Sequence, residues 1–243
     1  MVRSVRDDAN ILGYGNVFPI ADIGELSARL KPGTAYHRIG NFFYYNDFEF
    51  GLGLAKYDLA AGNNYANLSN DEAFSGSVSV HLESDVHQYD NAGLRVFLPP
   101  LEWTSFGCSF AFKCPSSIGI IYFYVRVVSY PYVIQAGIRY RDSSHQWSAV
   151  NTDLTEIVFA TGVEVWKTSL MWHHVYFSFD ALEKHFKKMI YDGIDVDISS
   201  INIIQLNTSE FSHILVAIYA FGDGSNATDM YVDTVAFSQN VEH

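Results

Sequence analysis

Ile120-Ile121-Tyr122-Phe123-Tyr124-Val125-Arg126-Val127-Val128 alternates along its length. Read as an extended chain, it places Ile121, Phe123, Val125 and Val127 on one side and Tyr122, Tyr124 and Arg126 on the other. The first side is wholly apolar and must be buried. The second mixes aromatic and charged groups and suits water or a ligand. After the turn Ser129-Tyr130-Pro131 the same design returns: Tyr132, Ile134, Ala136, Ile138 and Tyr140 face inward, and Gln135, Gly137, Arg139 and Arg141 outward.

Similar alternation is found to either side of this hairpin. In Trp172 to Phe179, Val175, Phe177 and Phe179 go to the core, while Trp172, His174, Tyr176 and Ser178 take the other face. Shorter examples are Ser77 to Glu83, Ile214 to Phe221 and Tyr231 to Phe237. Such strands, set apart by Gly, Asn, Asp and Ser turns, specify an all-β antiparallel sandwich. Asp180 to Lys188 fits a helix by pattern and is left open. Residues 1–40 read as an N-terminal extension around a short helix, Ala21 to Leu30, stopped by Pro32-Gly33, and residues 41–243 as the sandwich itself.

At 243 residues and 49% hydrophobic side chains the chain can bury a large core. Its net charge of −12, with 15 basic against 27 acidic residues, disfavours nucleic acid as a partner. Neither a signal-peptide core nor a run of the roughly 18 apolar residues of a membrane span is found, so a soluble chain with no membrane partner is expected. Cys108 and Cys114 would lie about 20 Å apart along one strand at about 3.3 Å per residue, which predicts buried free thiols; a turn folding them back into a pair is the alternative.

Trp172-His173-His174-Val175 running to Phe179-Asp180, then Lys188 to Val196 with Asp192-Gly193, resembles the "W-H-H-V … D … v-D-G" hairpin of concanavalin A-like lectin/glucanase domains, laminin-G-like ones in particular. Asn46 to Gly51, Asp71 to Val80 and Met230 to Val235 are similar to the first and last strands of many carbohydrate-binding jelly rolls. The resemblance implies a jelly-roll fold. It also implies a structural calcium held by Asp47, Glu49 and Asp233, although Thr234 stands where that pattern carries a second Asp. No other cofactor is called for.

The glucanase branch of that superfamily carries its carboxylates on an "E-x-D-x-x-E" strand, which is absent. Neither a nucleophile elbow nor a phosphate-cradling glycine loop occurs. What remains is the polar side of the strands. Tyr122, Tyr124, Trp172 and Tyr176 offer rings for the apolar faces of sugars, and Arg126, Gln135, Arg139 and His174 offer planar donors for their hydroxyls. The expectation is non-catalytic binding of an oligo- or polysaccharide at one concave face. Two alternatives stay open. One is a jelly-roll polysaccharide lyase or glycoside hydrolase; in the lyase, Tyr moves protons while Arg, Gln and His neutralise a uronate. The other is a structural or protein-interaction module.

Overall fold

A computed structural model of the protein describes residues 41–60, 62–88, 90–150 and 155–241, with backbone alone for Asn41 and Phe42. The expected N-terminal extension and its helix lie outside these residues. The described chain forms two antiparallel sheets of eight strands each. In the first, sheet A, the order runs β13 (Ile194–Val196), β12 (His185–Tyr191), β11 (His173–Asp180), β6 (Ser105–Lys113), β16 (Asp229–Gln239), β4 (Ser79–Glu83) and β3 (Tyr65–Ser69), and β1 (Asn41–Asn46) also pairs with β16. In the second, sheet B, it runs β10 (Glu156–Thr161), β9 (Gln146–Val150), β8 (Tyr132–Arg141), β7 (Ile120–Ser129), β15 (His213–Phe221), β5 (Asn91–Leu98) and β2 (Ala55–Leu59), and β14 (Ile204–Asn207) extends the β9 edge of β8.

The deciding stretch is β7, in the middle of sheet B. Its Ile121, Phe123, Val125 and Val127 are all buried, as are Ile134, Ala136, Ile138 and Tyr140 of β8; Tyr132, expected inward, is exposed at the end of β8 beside the turn. Phe106, Phe110 and Phe112 of β6 and Val175, Phe177 and Phe179 of β11 come to meet them from sheet A. Phe123 spans the layers, its ring centroid 5.0 Å from that of Phe110 and 5.4 Å from that of Phe112. Aromatic rings supply the largest apolar area per residue, and tilted contacts of this kind add to burial itself.

The three terminal-strand stretches noted in the sequence meet as neighbours: β16 pairs with β1 through Val235 to Gln239 and with β4 through Asp229 to Val232. The β11–β12–β13 unit is the hairpin read from Trp172 to Val196. Asp180 to Lys188 is not helical. The chain leaves β11 at Asp180, turns through Lys184 at φ 61°, and returns as β12, with the Lys184 amide donating to the Asp180 carbonyl at 2.8 Å. Cys108 and Cys114 are free and buried. Among the described residues no helix is long and apolar enough to cross a membrane.

Because Phe123 joins the sheets, Phe123→Ala should cost about 3–5 kcal/mol in urea unfolding, the range for deleting a buried aromatic side chain. A cost under about 1 kcal/mol would mean that this seam does not hold the sandwich.

Candidate functional site

The eight residues expected to share one groove are divided by the topology. Tyr122, Tyr124 and Arg126 of β7 and Gln135 and Arg139 of β8 lie together on the outer face of sheet B. Trp172, His174 and Tyr176 belong to β11 or its approach in sheet A, whose outer face points the opposite way. A single groove of all eight is therefore ruled out by the packing: both sheets turn their apolar sides toward each other, so their polar sides diverge.

On sheet A the three residues are occupied by the protein itself. The segment before β4 crosses two of them, with the Phe74 ring 4.6 Å from His174 and 5.9 Å from Trp172, and Tyr176 is buried. Lys113, nearly fully buried, donates to Glu72 at 2.5 Å and lies 5.8 Å from the Trp172 ring. Burial, working against the charge of Asp192, lowers the pKa of His174 and so favours the neutral ring.

The same segment decides the calcium question. Asp233 is fully buried, and its Oδ2 accepts the amides of Phe74 at 2.7 Å and Ser75 at 2.8 Å while Oδ1 accepts that of Thr234 at 2.6 Å. Glu49 Oε1 accepts the amides of Ser77 and Val78, both at 2.7 Å, and Oε2 accepts the Ser77 hydroxyl at 3.2 Å. Asp47 accepts the Glu49 amide at 3.4 Å. Calcium needs about six to eight oxygen ligands gathered round one point, whereas Glu49 and Asp233 are each directed at peptide N–H groups of the loop and Asp47 makes one long contact to a neighbouring amide. Among the described residues no group of three or more His, Cys, Asp or Glu side chains is arranged to hold a metal. Asp47, Glu49 and Asp233 do not fit the calcium site that the resemblance implied; Glu49 and Asp233 fasten a loop instead. Gly76 is needed there, because at φ 68° a Cβ would also fall 2.2 Å from the Glu49 carboxyl.

The outer face of sheet B is organised around three tyrosines. Tyr124 is central, with Tyr122 5.2 Å away and Tyr219 of β15 5.9 Å away, the Tyr124 and Tyr219 planes within 2° of parallel. Two glycines let the outer rings settle onto the sheet. A Cβ on Gly137 would stand 2.4 Å from the Tyr122 hydroxyl oxygen, and one on Gly93 2.4 Å from the Tyr219 ring. An arginine attends each of these rings, Arg139 5.1 Å from the Tyr122 centroid and Arg95 5.7 Å from that of Tyr219. Tyr122 and Tyr219 are consequently only 8% and 5% exposed, whereas Tyr124 stays half open.

Each arginine is in turn held by a carboxylate. Arg95 pairs with Asp58 of β2 and donates to the Tyr219 hydroxyl, which itself donates to Asp58 at 2.6 Å. On the other flank Arg139 and Arg141 share Glu156 of β10, which also accepts the Ser148 hydroxyl at 3.1 Å. Arg126 meets Glu210 at 2.9 Å, and Gln135 donates to the Tyr122 hydroxyl at 3.1 Å. Burial raises the Tyr122 phenol to about 12, and burial together with Asp58 raises that of Tyr219. Glu156 is pulled below the usual carboxylate range by Arg139 and Arg141, which outweigh its burial.

Asp58, Arg95, Glu156 and Tyr219 were absent from the expected set. Alternation could have found two of them, since Arg95 and Tyr219 stand opposite the buried residues of their own strands. Asp58 and Glu156 sit on edge strands that carry weak apolar patterns.

Two such sheets, with these terminal strands side by side, decide the architecture. The chain has a jelly-roll β-sandwich fold. No family model matches the sequence, and no curated protein does. Solved jelly rolls do match by shape. The endo-β-1,4-glucuronan lyase of the fungus Trichoderma reesei is 13% identical, with 82% of this chain and 96% of that one covered and a TM-score of 0.55. A carbohydrate esterase from the Shiga toxin-encoding bacteriophage phi24B is 15% identical over 83% and 99% of the two chains, at a TM-score of 0.53. The carbohydrate recognition domain of Emp46p is 12% identical over 81% and 96%, at 0.50. At these identities the likeness is one of fold.

Asp233→Ala should lower stability by about 2–3 kcal/mol, as for a lost charged acceptor of buried amides, and should speed amide hydrogen exchange at Phe74 and Ser75. Calcium or a chelator should leave the melting temperature of the unaltered protein where it was. A calcium-dependent rise of several degrees that Asp233→Ala abolishes would restore the metal site.

Proposed function

We propose that the outer face of sheet B binds an oligo- or polysaccharide without transforming it. The observation that carries this is Tyr124, a partly exposed ring between Tyr122 and Tyr219 on a face that also carries guanidinium and carboxylate groups. A sugar presents an apolar face of C–H groups and a rim of hydroxyls. Tyr124 meets the first need by stacking. Arg95, Arg139, Gln135, Asp58 and Glu156 meet the second, since each arginine and carboxylate keeps further donors or acceptors beyond those used within the face.

The groups are also pre-ordered. Glycines beneath, arginines above and carboxylates at the flanks hold the rings and forks in place before any ligand arrives, which lowers the ordering cost of binding. Proton affinities favour binding over chemistry. Tyr122 and Tyr219 both hold their protons firmly at neutral pH, and Glu156 is committed as an anion to its arginines. A general base or acid works best with a pKa near the operating pH, and none of these three groups is tuned that way.

In titrations against a panel of oligosaccharides, Tyr124→Ala should weaken the best ligand at least about tenfold, near 1.4 kcal/mol, with the fold intact by circular dichroism. Tyr124→Phe should keep most of the affinity, because the ring does the stacking. Equal affinity for Tyr124→Ala and the unaltered protein would remove the site from this face. Turnover of any bound saccharide into shorter or unsaturated products would overturn the non-catalytic reading.

A further inference from the structure

The arginines of the sheet B face would ordinarily suggest an acidic sugar, because a planar guanidinium fork matches a carboxylate. Their existing partners argue otherwise. Arg95 is engaged by Asp58, Arg126 by Glu210, and Arg139 and Arg141 by Glu156. Arg141 also acts electrostatically on Asp223. The carboxylates come from several different strands and loops, so the neutralisation is distributed over the whole face.

From this pairing we infer that the platform selects neutral glycans and rejects uronates. This rests on the saccharide reading above and sharpens it to a substrate class. A uronate arriving on the face would have to displace a carboxylate that is already bound, or sit beside it at the cost of like-charge repulsion. Among the described residues each of the four arginines of this face already has a carboxylate partner, from a neighbouring strand or, for Arg126, from the loop residue Glu210. Lys56, next to Arg95 in the register, is exposed on the edge strand, where a single ammonium in water contributes little. The field of the whole chain, with a net charge of −12, adds repulsion toward a polyanion.

Neutral hydroxyls meet the opposite situation. An ion-paired arginine and carboxylate present unused N–H donors and oxygen lone pairs side by side, the complement of two adjacent sugar hydroxyls that donate and accept in turn. Asp58 with Arg95 and Glu156 with Arg139 place such a pair on each side of Tyr124.

The test is calorimetric titration of the full chain at low ionic strength, where electrostatic preference is largest. The probes are neutral hexasaccharides of β-glucan, xylan and mannan, and glucuronate and galacturonate oligomers of matched length. At least one neutral ligand should bind ten or more times tighter than any uronate. Asp58→Asn and Glu156→Gln, which free their arginines with little change in shape, should shrink that ratio several-fold by raising uronate affinity. A uronate that the unaltered protein binds more tightly than every neutral ligand overturns the class while leaving the saccharide site standing. Binding of no saccharide at all overturns both. The comparison within the unaltered protein is decisive by itself should either variant fail to fold.

Discussion

Phe123 packs against Phe110 and Phe112 of the opposing sheet, and the geometry of everything outside the core follows from that contact. In a strand the side-chain period is two, so burying Phe123 obliges Tyr122 and Tyr124 to point outward. A slip of one residue in register would drive those tyrosines and Arg126 into the space between the sheets and expose Ile121, Phe123 and Val125. The tyrosine field is therefore positioned by the hydrophobic interior.

The two outer faces resolve the same difficulty differently. Each carries aromatic rings that water would rather not cover. On sheet A a loop closes over them, with Phe74 against Trp172 and His174, and the carboxylates of Asp233 and Glu49 hold that loop by its peptide N–H groups. On sheet B the cover is made of arginine side chains, which lay their apolar stems and planar heads over Tyr122 and Tyr219. Side chains leave a polar surface with Tyr124 partly exposed in its midst, while on sheet A a latched loop packs against Trp172 and His174, which are themselves partly exposed. This difference makes the outer face of sheet B the candidate for ligand binding.

Much of the architecture was legible from alternation. Most buried residues of β7, β8 and β11 follow from reading every second position, Tyr132 being the exception, and the terminal-strand stretches meet in one sheet as their resemblance implied. What alternation cannot say is to which sheet a strand belongs. It separates inside from outside, and Tyr124 and His174 are both outside, yet on opposite sides of the molecule. That partition depends on pairings such as Phe177 with Cys108, far apart in sequence, for which no local pattern exists. The turn at Lys184 was obscured for a related reason, since short hairpins can mimic helical spacing. The carboxylates of Asp58 and Glu156 come from edge strands, and only the folded sheet brings them beside Arg95 and Arg139. Of the residues expected to hold calcium, Glu49 and Asp233 instead accept backbone amides of the loop before β4.

The central claim is that ligand recognition belongs to the outward side of β7 and its neighbours. Chemical-shift mapping of the isotopically labelled protein during addition of a bound neutral oligosaccharide tests it most directly. The largest changes should fall on Tyr124, Arg95, Arg139 and Gln135, with the signals of Phe74, Trp172 and His174 unmoved. Perturbations centred on the latched side, or confined to the loops joining the sheets, would contradict the assignment.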